Sequence, residues 1–393
     1  MASAGLYLDD NAFPNRPPWY ARPVTWVGVV IVVAVCIVAM SRSCRKRGEA
    51  ESSEAPVATN VTERVMERTP PRRAEPSVFG GIRNPTGVDI ARAPLSAFVP
   101  TRPDEPRTAV WGAWRVGSDN RPRFHGAVDI APLRKDRSGK ALDEVMAVAD
   151  GKVVYINRQG GDSQYGIHVI VEHADLVGPV YTLYGHLATV TPSLTVGGAV
   201  TAGAALGIIG HTSSQRIAPQ NAHLHFEVAL MHTSRFGAWG RARKLIPDRG
   251  NHHGWNLYTV DPRDFYQFMQ AFPDSNFRDY VQQVPVAFEL IVLSEKKPLD
   301  YFTRYPSLWK GTAGYTGPLV ISVTEAGVIT SGRPADTAEI EMLVRNRRLP
   351  TVLKVNDWLL ERNGQRIVVK NGQTWEVGKG DVAKRWLELL TYE

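Results

Sequence analysis

The chain has 393 residues, of which 43% are hydrophobic and 22% charged, so it can bury a substantial core and form more than one domain. Its net charge of +7 is modest and comes from scattered arginines, which argues against a nucleic-acid-binding protein and fits attraction to an anionic polymer or membrane surface better. Its two cysteines, Cys36 and Cys44, lie in or beside the apolar N-terminal segment, which excludes a disulfide framework or a thiolate metal site in the rest of the chain.

The first predicted element is a transmembrane helix over residues 23–41, preceded by an N-terminal segment over residues 1–22. Residues 24–40 carry no charge, and as a helix they span about 25 Å, the short end of a bilayer crossing. Aromatic residues flank one end of the run and basic residues the other: Trp19, Tyr20 and Trp26, then Arg42, Arg45, Lys46 and Arg47. A cleaved signal peptide is the alternative, but no Ala-x-Ala-like site precedes Ser41 and the basic cluster follows the run.

Three further regions follow along the chain. Residues 42–94 are rich in Arg, Glu, Pro, Ser and Thr and predict a flexible tether. Residues 95–272 alternate short β-like runs with glycine turns, which predicts a mainly β, antiparallel domain. Residues 273–393 predict a smaller β-rich C-terminal domain with hairpin turns at Asn363-Gly364 and Asn371-Gly372 and a closing helix at 381–390. The role of this last region is not indicated by its sequence.

The most informative motif lies at residues 221–228, where polar and apolar residues alternate. As a β-strand this segment places His223, His225 and Glu227 on one face and apolar side chains on the other. Two imidazoles side by side on a sheet face pack poorly and bind metals well. Glu227 is expected to support the site or lie at the surface rather than bind a metal.

Upstream, His125 and Asp129 offer a second nitrogen and a carboxylate oxygen. With His225 they make three N/O ligands and leave a fourth tetrahedral position for water, which is the arrangement of a catalytic zinc site. His186, in Tyr184-Gly185-His186-Leu187, adds a further histidine. The remaining histidines have simpler interpretations: His168, His173 and His211 as structural or supporting residues, and His232, His252 and His253 as solvated residues of a polar insertion.

Together these motifs resemble the lysostaphin-type (LytM-like) zinc metallopeptidases, which cut peptidoglycan peptides. The resemblance covers roughly residues 111–265 and rests on several separated motifs in the family's order. They are Arg123-Phe124-His125-Gly126-Ala127-Val128-Asp129-Ile130, Val148-Ala149-Asp150-Gly151-Lys152-Val153, Tyr184-Gly185-His186-Leu187, Gly207-Ile208-Ile209-Gly210, His223-Leu224-His225-Phe226-Glu227-Val228 and Val260-Asp261-Pro262.

The resemblance implies an antiparallel β-sheet peptidase domain with an open groove. It implies that His125, Asp129 and His225 hold one zinc ion and that His186 and His223 are the catalytic pair. Three segments depart from the family's pattern, at residues 133–144, 220–222 and 231–259, and they affect the expected substrate preference more than the metal site.

The sequence thus predicts a zinc-dependent endopeptidase that is anchored to a membrane and hydrolyses peptide bonds of bacterial peptidoglycan. Two alternatives stay open: a non-catalytic wall-binding or regulatory module, and a phage virion-associated lysin that pierces the host wall. Nucleic acid is not an expected partner, and the oligomeric state and the bond cleaved are not indicated.

The expected location is a single-pass protein of a cell inner membrane or a virion membrane, with the catalytic domain facing the periplasm and wall. The charges around the predicted helix conflict with this orientation. The heavier positive charge follows the helix, which by the positive-inside rule would leave most of the chain in the cytoplasm.

Overall fold

A computed structural model of the protein describes residues 77–116, 122–363 and 366–392. The predicted segments 1–22 and 23–41, and most of 42–94, lie outside these ranges. Among the described residues, no helix has the length and apolar character needed to cross a bilayer.

The centre of the fold is a nine-stranded sheet in which every pairing is antiparallel, as the sequence predicts. Its main path runs β11-β10-β7-β6-β5-β8, with β3 paired to β10, and β9 paired to both β4 and β7. A separate hairpin, β1-β2, precedes it. The strands are β1 Trp114–Val116, β2 Pro122–Phe124, β3 Val128–Ile130, β4 Glu144–Met146, β5 Gly151–Asn157, β6 Ile167–Asp175, β7 Gly178–Val190, β8 Ala199–Val200, β9 Ala205–Ile209, β10 Leu224–Met231 and β11 Leu257–Val260.

Strand β10 is buried along its whole length because it lies between β7 on one side and β3 and β11 on the other. The alternation of its sequence separates two sets of side chains. Leu224 and Phe226 enter the main hydrophobic core, whereas the polar side chains His225 and Glu227 occupy the opposite face. A short helix, α1 (Phe236–Ala242), and the helix α2 (Pro262–Ala271) flank this region of the chain.

Residues 77–94 differ from the predicted tether, because they pack on the nine-stranded sheet. Phe79 and Ile90 are fully buried, and the ring of Phe79 lies edge-on to Phe265 at 5.3 Å. The backbone also pairs with the sheet region, since the amide of Arg83 donates to the carbonyl of Val148 at 2.8 Å. The buried residues here are few and are separated by turns, so the segment lacks the periodicity that reveals strands and helices in a sequence.

The region after residue 272 contains a four-stranded antiparallel sheet in the order β14-β13-β12-β15, a two-stranded hairpin and five short helices. The strands are β12 Phe288–Ser294, β13 Gly317–Val323, β14 Ile329–Pro334, β15 Thr351–Val355, β16 Val368–Asn371 and β17 Thr374–Val377; the helices are α3 Phe277–Val281, α4 Asp300–Arg304, α5 Thr337–Arg345, α6 Asp357–Asn363 and α7 Asp381–Thr391.

Local turn predictions in this region have different outcomes. The Asn371-Gly372 turn is confirmed: it joins β16 to β17, and Gly372 adopts a φ of 63°, which glycine tolerates readily. The predicted closing helix is confirmed as α7. The Asn363-Gly364 hairpin is wrong, because Asn363 is the last residue of α6. Asn and Gly are also common where helices end, so this dipeptide alone does not identify the turn type.

Side chains from this region contact the nine-stranded sheet directly. The hydroxyl of Tyr305 accepts a hydrogen bond from the amide of Met231 (2.9 Å) and donates to the carbonyl of Pro179 (3.1 Å). His232 lies 2.9 Å from the carbonyl of Trp386 through Nε2 and is only 1% exposed. The prediction that His232 is solvated is therefore wrong; its polar sequence neighbours conceal a long-range contact with α7.

Candidate metal centre

The antiparallel pairing of β3 with β10 brings the predicted metal ligands together. Asp129 is the register partner of His225, and His125 lies three residues before the start of β3. One ligand atom from each of the three side chains can be chosen so that all lie within 4.8 Å of one another. Asp129 and His225 are 96 positions apart in the sequence, and the sheet register closes that separation.

His125 presents its Nε2 atom to this cluster. Nε2 lies 3.2 Å from Oδ1 of Asp129, whereas Nδ1 lies 3.0 Å from the backbone carbonyl of Val110. A carbonyl oxygen only accepts hydrogen bonds, so this contact assigns the proton to Nδ1 and leaves the Nε2 lone pair for a cation.

His225 is oriented in the opposite sense. Its Nδ1 lies 2.9 Å from Oδ1 of Asp129, and its Nε2 lies 2.9 Å from Oε1 of Glu227. A carboxylate behind a histidine is the usual support for a metal-binding imidazole, since it fixes the tautomer and the ring plane. Glu227 thus occupies the supporting position that the sequence predicts.

The electrostatics of this cluster favour a bound cation. Burial alone would lower the pKa of His225, but hydrogen bonds to Asp129 and Glu227 raise it to about 9. Burial would likewise raise the pKa of Asp129, yet Arg115 and the neighbouring histidines hold it well below its usual value. The carboxylates around His225 thus favour positive charge at this ring, and a metal ion that binds Nδ1 would take the place of its proton.

The two predicted catalytic histidines lie beside the cluster. The ring centroids of His186 and His223 are 4.8 Å apart, and His186 is 5.4 Å from His225. In each ring Nδ1 contacts a backbone carbonyl, that of Thr212 at 2.8 Å for His186 and that of Asn221 at 2.7 Å for His223. Each Nε2 is therefore left as a proton acceptor in the neutral ring. Burial lowers the pKa of both histidines, which favours this neutral form.

His186 lies in a β-bulge of β7. The pairing with β6 shifts between Ile167 and Val169, so that Gly185 and His186 together oppose a single residue. His186 adopts a φ of 60°, an uncommon backbone conformation for a non-glycine residue that often marks functional positions. A Cβ on Gly185 would come within 3.3 Å of the Cβ of His225, which explains a glycine before the histidine in this motif.

The structure adds two residues that the sequence interpretation missed. Arg115, in β1, donates through Nη2 to Oδ2 of Asp129 at 2.5 Å. Tyr165 places its ring 5.4 Å from that of His225, and its carbonyl accepts from the amide of His186 at 2.7 Å. Neither residue lies in a recognisable motif, and only the folded sheet brings them to the site.

The other histidines lie outside the cluster. His173 bridges the carbonyl of Asp150 and the hydroxyl of Thr182, and His168 contacts the carbonyl of Gly166, so both have the structural role that the sequence predicts. The prediction of solvation is also wrong for His253, whose ring stacks on Phe236 at 5.0 Å.

The antiparallel sheet thus gathers three side chains that could hold a metal ion and two further histidines beside them. Residues 123–235 match the model described as Peptidase family M23, so this part of the chain is similar to that family. The match includes all five predicted site residues.

Solved structures similar to the chain include three named peptidases. A zinc containing peptidase from Vibrio cholerae is 27% identical over 31% of this chain and 32% of its own, with a TM-score of 0.24. The catalytic domain of the antimicrobial peptidase lysostaphin from Staphylococcus simulans is 19% identical over 40% of this chain and 89% of its own, with a TM-score of 0.25. A putative glycyl-glycine endopeptidase lytM from Ruminococcus gnavus is 17% identical over 35% and 45%, with a TM-score of 0.23.

The chain spans about a third of the length of the Vibrio cholerae peptidase. No curated protein matches the chain in a sequence comparison.

Proposed function

We propose that this protein is a zinc-dependent endopeptidase that hydrolyses peptide bonds of bacterial peptidoglycan. The observation that carries the proposal is the convergence of Nε2 of His125, Oδ1 of Asp129 and Nδ1 of His225 at one point of the sheet. The match to Peptidase family M23 supports the reaction class, and the peptidoglycan substrate follows from the resemblance to LytM-like enzymes.

His125, Asp129 and His225 would hold the zinc ion. A zinc ion bound by three protein ligands polarises a substrate carbonyl and lowers the pKa of water to near neutrality. The supporting contacts of His125 with Val110 and of His225 with Glu227 keep both imidazoles in the tautomer that such binding needs.

His186 and His223 would move the protons. Each presents an unprotonated Nε2 beside the cluster, and Nε2 of His223 lies 3.4 Å from Oδ2 of Asp129. One of the pair would take a proton from the attacking water and return it to the leaving amine, and the other, having bound a proton from solvent, would stabilise the developing oxyanion. Both rings are held by backbone carbonyls, so their positions do not depend on flexible partners.

The expected experiment compares two pairs of variants. Asp129→Ala and His225→Ala should lose both zinc and hydrolysis, because each removes a ligand. His186→Ala and His223→Ala should retain zinc and lose turnover by about 10²-fold or more, because each removes a proton-transfer group. Zinc content is measured by elemental analysis, and hydrolysis by mass spectrometry of digested peptidoglycan, which also identifies the bond cut.

His211→Ala is the matched control, since His211 is exposed and should affect neither property. Chelation separates an enzyme from a wall-binding module: the enzyme loses activity and regains it with zinc, whereas a binding module is indifferent. Full hydrolysis of purified walls by a variant without zinc would contradict the proposal.

We further propose that residues 23–41 anchor the protein in a membrane with the peptidase domain facing the wall. The proposal is supported by the uncharged run over residues 24–40 and by the location of the substrate. Fractionation of cells, followed by protease treatment of intact spheroplasts, tests both location and orientation. Recovery of the protein only from purified virus particles would replace the cell membrane with a virion as its site.

A further inference from the structure

The two oxygens of Asp129 have different partners. Oδ1 lies 3.2 Å from Nε2 of His125 and 2.9 Å from Nδ1 of His225, so it faces the centre of the cluster. Oδ2 has other partners: it accepts a hydrogen bond from Nη2 of Arg115 at 2.5 Å and lies 3.4 Å from Nε2 of His223.

Arg115 is itself held in place. Its Nε donates to the carbonyl of Thr108 at 2.7 Å, and its Nη2 also contacts that oxygen. The guanidinium is planar and carries its donors in a rigid fork, so an anchor on one edge fixes the direction of the other donors. The Arg115 side chain is 20% exposed and that of Asp129 is 2% exposed, so solvent screens this ion pair only partly.

The same hairpin carries Arg115 and leads into the ligand His125. Arg115 is the register partner of Arg123 in the β1-β2 pair, and the amide of His125 donates to the carbonyl of Ala113 at 2.8 Å. A displacement of β1 therefore moves both the arginine and the backbone that positions a ligand.

From these contacts we infer that Arg115 is a positioning residue that keeps Asp129 a one-oxygen ligand. By occupying Oδ2, the guanidinium leaves only Oδ1 for the metal. A carboxylate that bound through both oxygens would fill a coordination position needed by water or substrate. This inference rests on the proposed function and adds a residue that no sequence motif marks.

The test replaces Arg115 and measures the metal site itself. Arg115→Met keeps the length of the side chain and removes the fork, so zinc affinity measured by chelator competition should fall about 10- to 100-fold. The visible absorption of the cobalt-substituted protein reports coordination number directly. In the variant, these bands should weaken, as expected when Asp129 binds through both oxygens and the metal gains a ligand.

Two further variants separate positioning from a general loss of packing. Arg115→Lys keeps a cation that can reach Oδ2, and it should recover part of the affinity and of the cobalt spectrum. Arg92→Met is the control, because the Arg92 side chain is 77% exposed and pairs with Asp89. Circular dichroism of the metal-free proteins verifies that each variant folds.

An unchanged zinc affinity and cobalt spectrum in Arg115→Met would overturn the inference. So would a loss that Arg115→Lys does not relieve at all, since that result assigns the effect to packing. These outcomes differ from failure of the proposed function, in which the unmodified protein itself binds no zinc or hydrolyses no peptidoglycan.

Discussion

Glu227 acts on the candidate metal centre without facing it. Its Oε1 lies 2.9 Å from Nε2 of His225, on the side of the ring away from Asp129, and its side chain is only 5% exposed. A carboxylate in this position raises the basicity of the imidazole and selects the tautomer whose Nδ1 lone pair faces the cation.

Glu227→Gln and Glu227→Ala should therefore have graded effects on zinc binding. The amide oxygen of glutamine still accepts from Nε2 of His225, so Glu227→Gln should weaken zinc affinity by less than about 10-fold. Glu227→Ala removes the acceptor and should cost about 10- to 100-fold. Chelator competition measures the affinity, and ¹⁵N NMR of the imidazole reports the tautomer.

Glu144→Gln is the control for this series, because Glu144 is exposed on β4. Equal zinc affinities for the alanine variant and the unmodified protein would show that zinc binding by His225 does not depend on its hydrogen bond to Glu227.

At the scale of residues, the sequence predicts the histidines well and their partners poorly. Alternation over residues 221–228 identifies His223, His225 and the supporting Glu227, because a period of two determines which side chains share a face. The arginine on Oδ2 of Asp129 follows no such rule: Arg115 lies on a three-residue strand, and its partner Asp129 lies outside that hairpin, 14 positions along the chain. His232 fails for the same reason, since its partner Trp386 is 154 positions away.

Helix α2 is capped by Asp261, whose carboxylate is costly to bury in its charged form. Asp261 caps the helix by accepting hydrogen bonds from the amides of Arg263 (2.9 Å) and Asp264 (3.5 Å). Burial and the nearby charge of Asp264 raise the pKa of Asp261 to about 7. The folded protein thus binds this proton more tightly than the unfolded chain, and the free energy of unfolding falls as pH rises from about 4 to about 7.

Asp261→Asn should remove this dependence. Asparagine is as good a capping residue as aspartate, and it carries no charge to bury. The variant should therefore be more stable than the unmodified protein at pH 8, by about 1 kcal/mol or more, equivalent to roughly 2–4 °C in unfolding temperature. Near pH 4 the two proteins should be nearly equal, since Asp261 is then protonated.

Thermal unfolding at the two pH values measures the effect, with the exposed Asp274→Asn as the control. A variant that gains nothing at pH 8 would show that the buried charge is compensated elsewhere.

At the scale of elements, runs of β-branched and aromatic residues predict β5, β6 and β7 close to their observed positions. What the sequence does not predict is the irregularity within them. The bulge that displays His186 depends on how β7 pairs with β6, and no local pattern encodes that register. The sequence does not predict the packing of residues 77–94, because single buried residues such as Phe79 produce no periodic pattern.

Across the whole molecule, Tyr305 links the region after residue 272 to the peptidase sheet. Its hydroxyl is the acceptor for the buried amide of Met231 in β10 and the donor to Pro179 in β7. The sequence marks a change of composition near residue 273, but it gives no sign of these contacts. The division into domains at that point stays a prediction.

Tyr305→Phe should lower the free energy of unfolding by about 1–3 kcal/mol, because it leaves the Met231 amide buried without its partner. If the two regions unfold together, urea unfolding monitored by tryptophan fluorescence and by circular dichroism should still give one coincident transition at a lower midpoint.

Tyr392→Phe provides the comparison, because no hydrogen bond of the Tyr392 hydroxyl is seen within residues 77–116, 122–363 and 366–392. If Tyr305→Phe is as stable as the unmodified protein, the hydrogen bonds of Tyr305 contribute nothing to the packing of the two regions against each other.

The buried segment at residues 77–94 has a consequence for how the chain responds to proteolysis. If a protease cut the chain upstream of Ser77, Phe79 and Ile90 would stay buried in the core. The fragment after the cut would then keep its sheet and its histidine cluster. A cut between Phe79 and Ile90 would instead allow the piece that carries Phe79 to leave the core. Cleavage that spares the sheet and cleavage that disturbs its core thus differ in position by only a few peptide bonds.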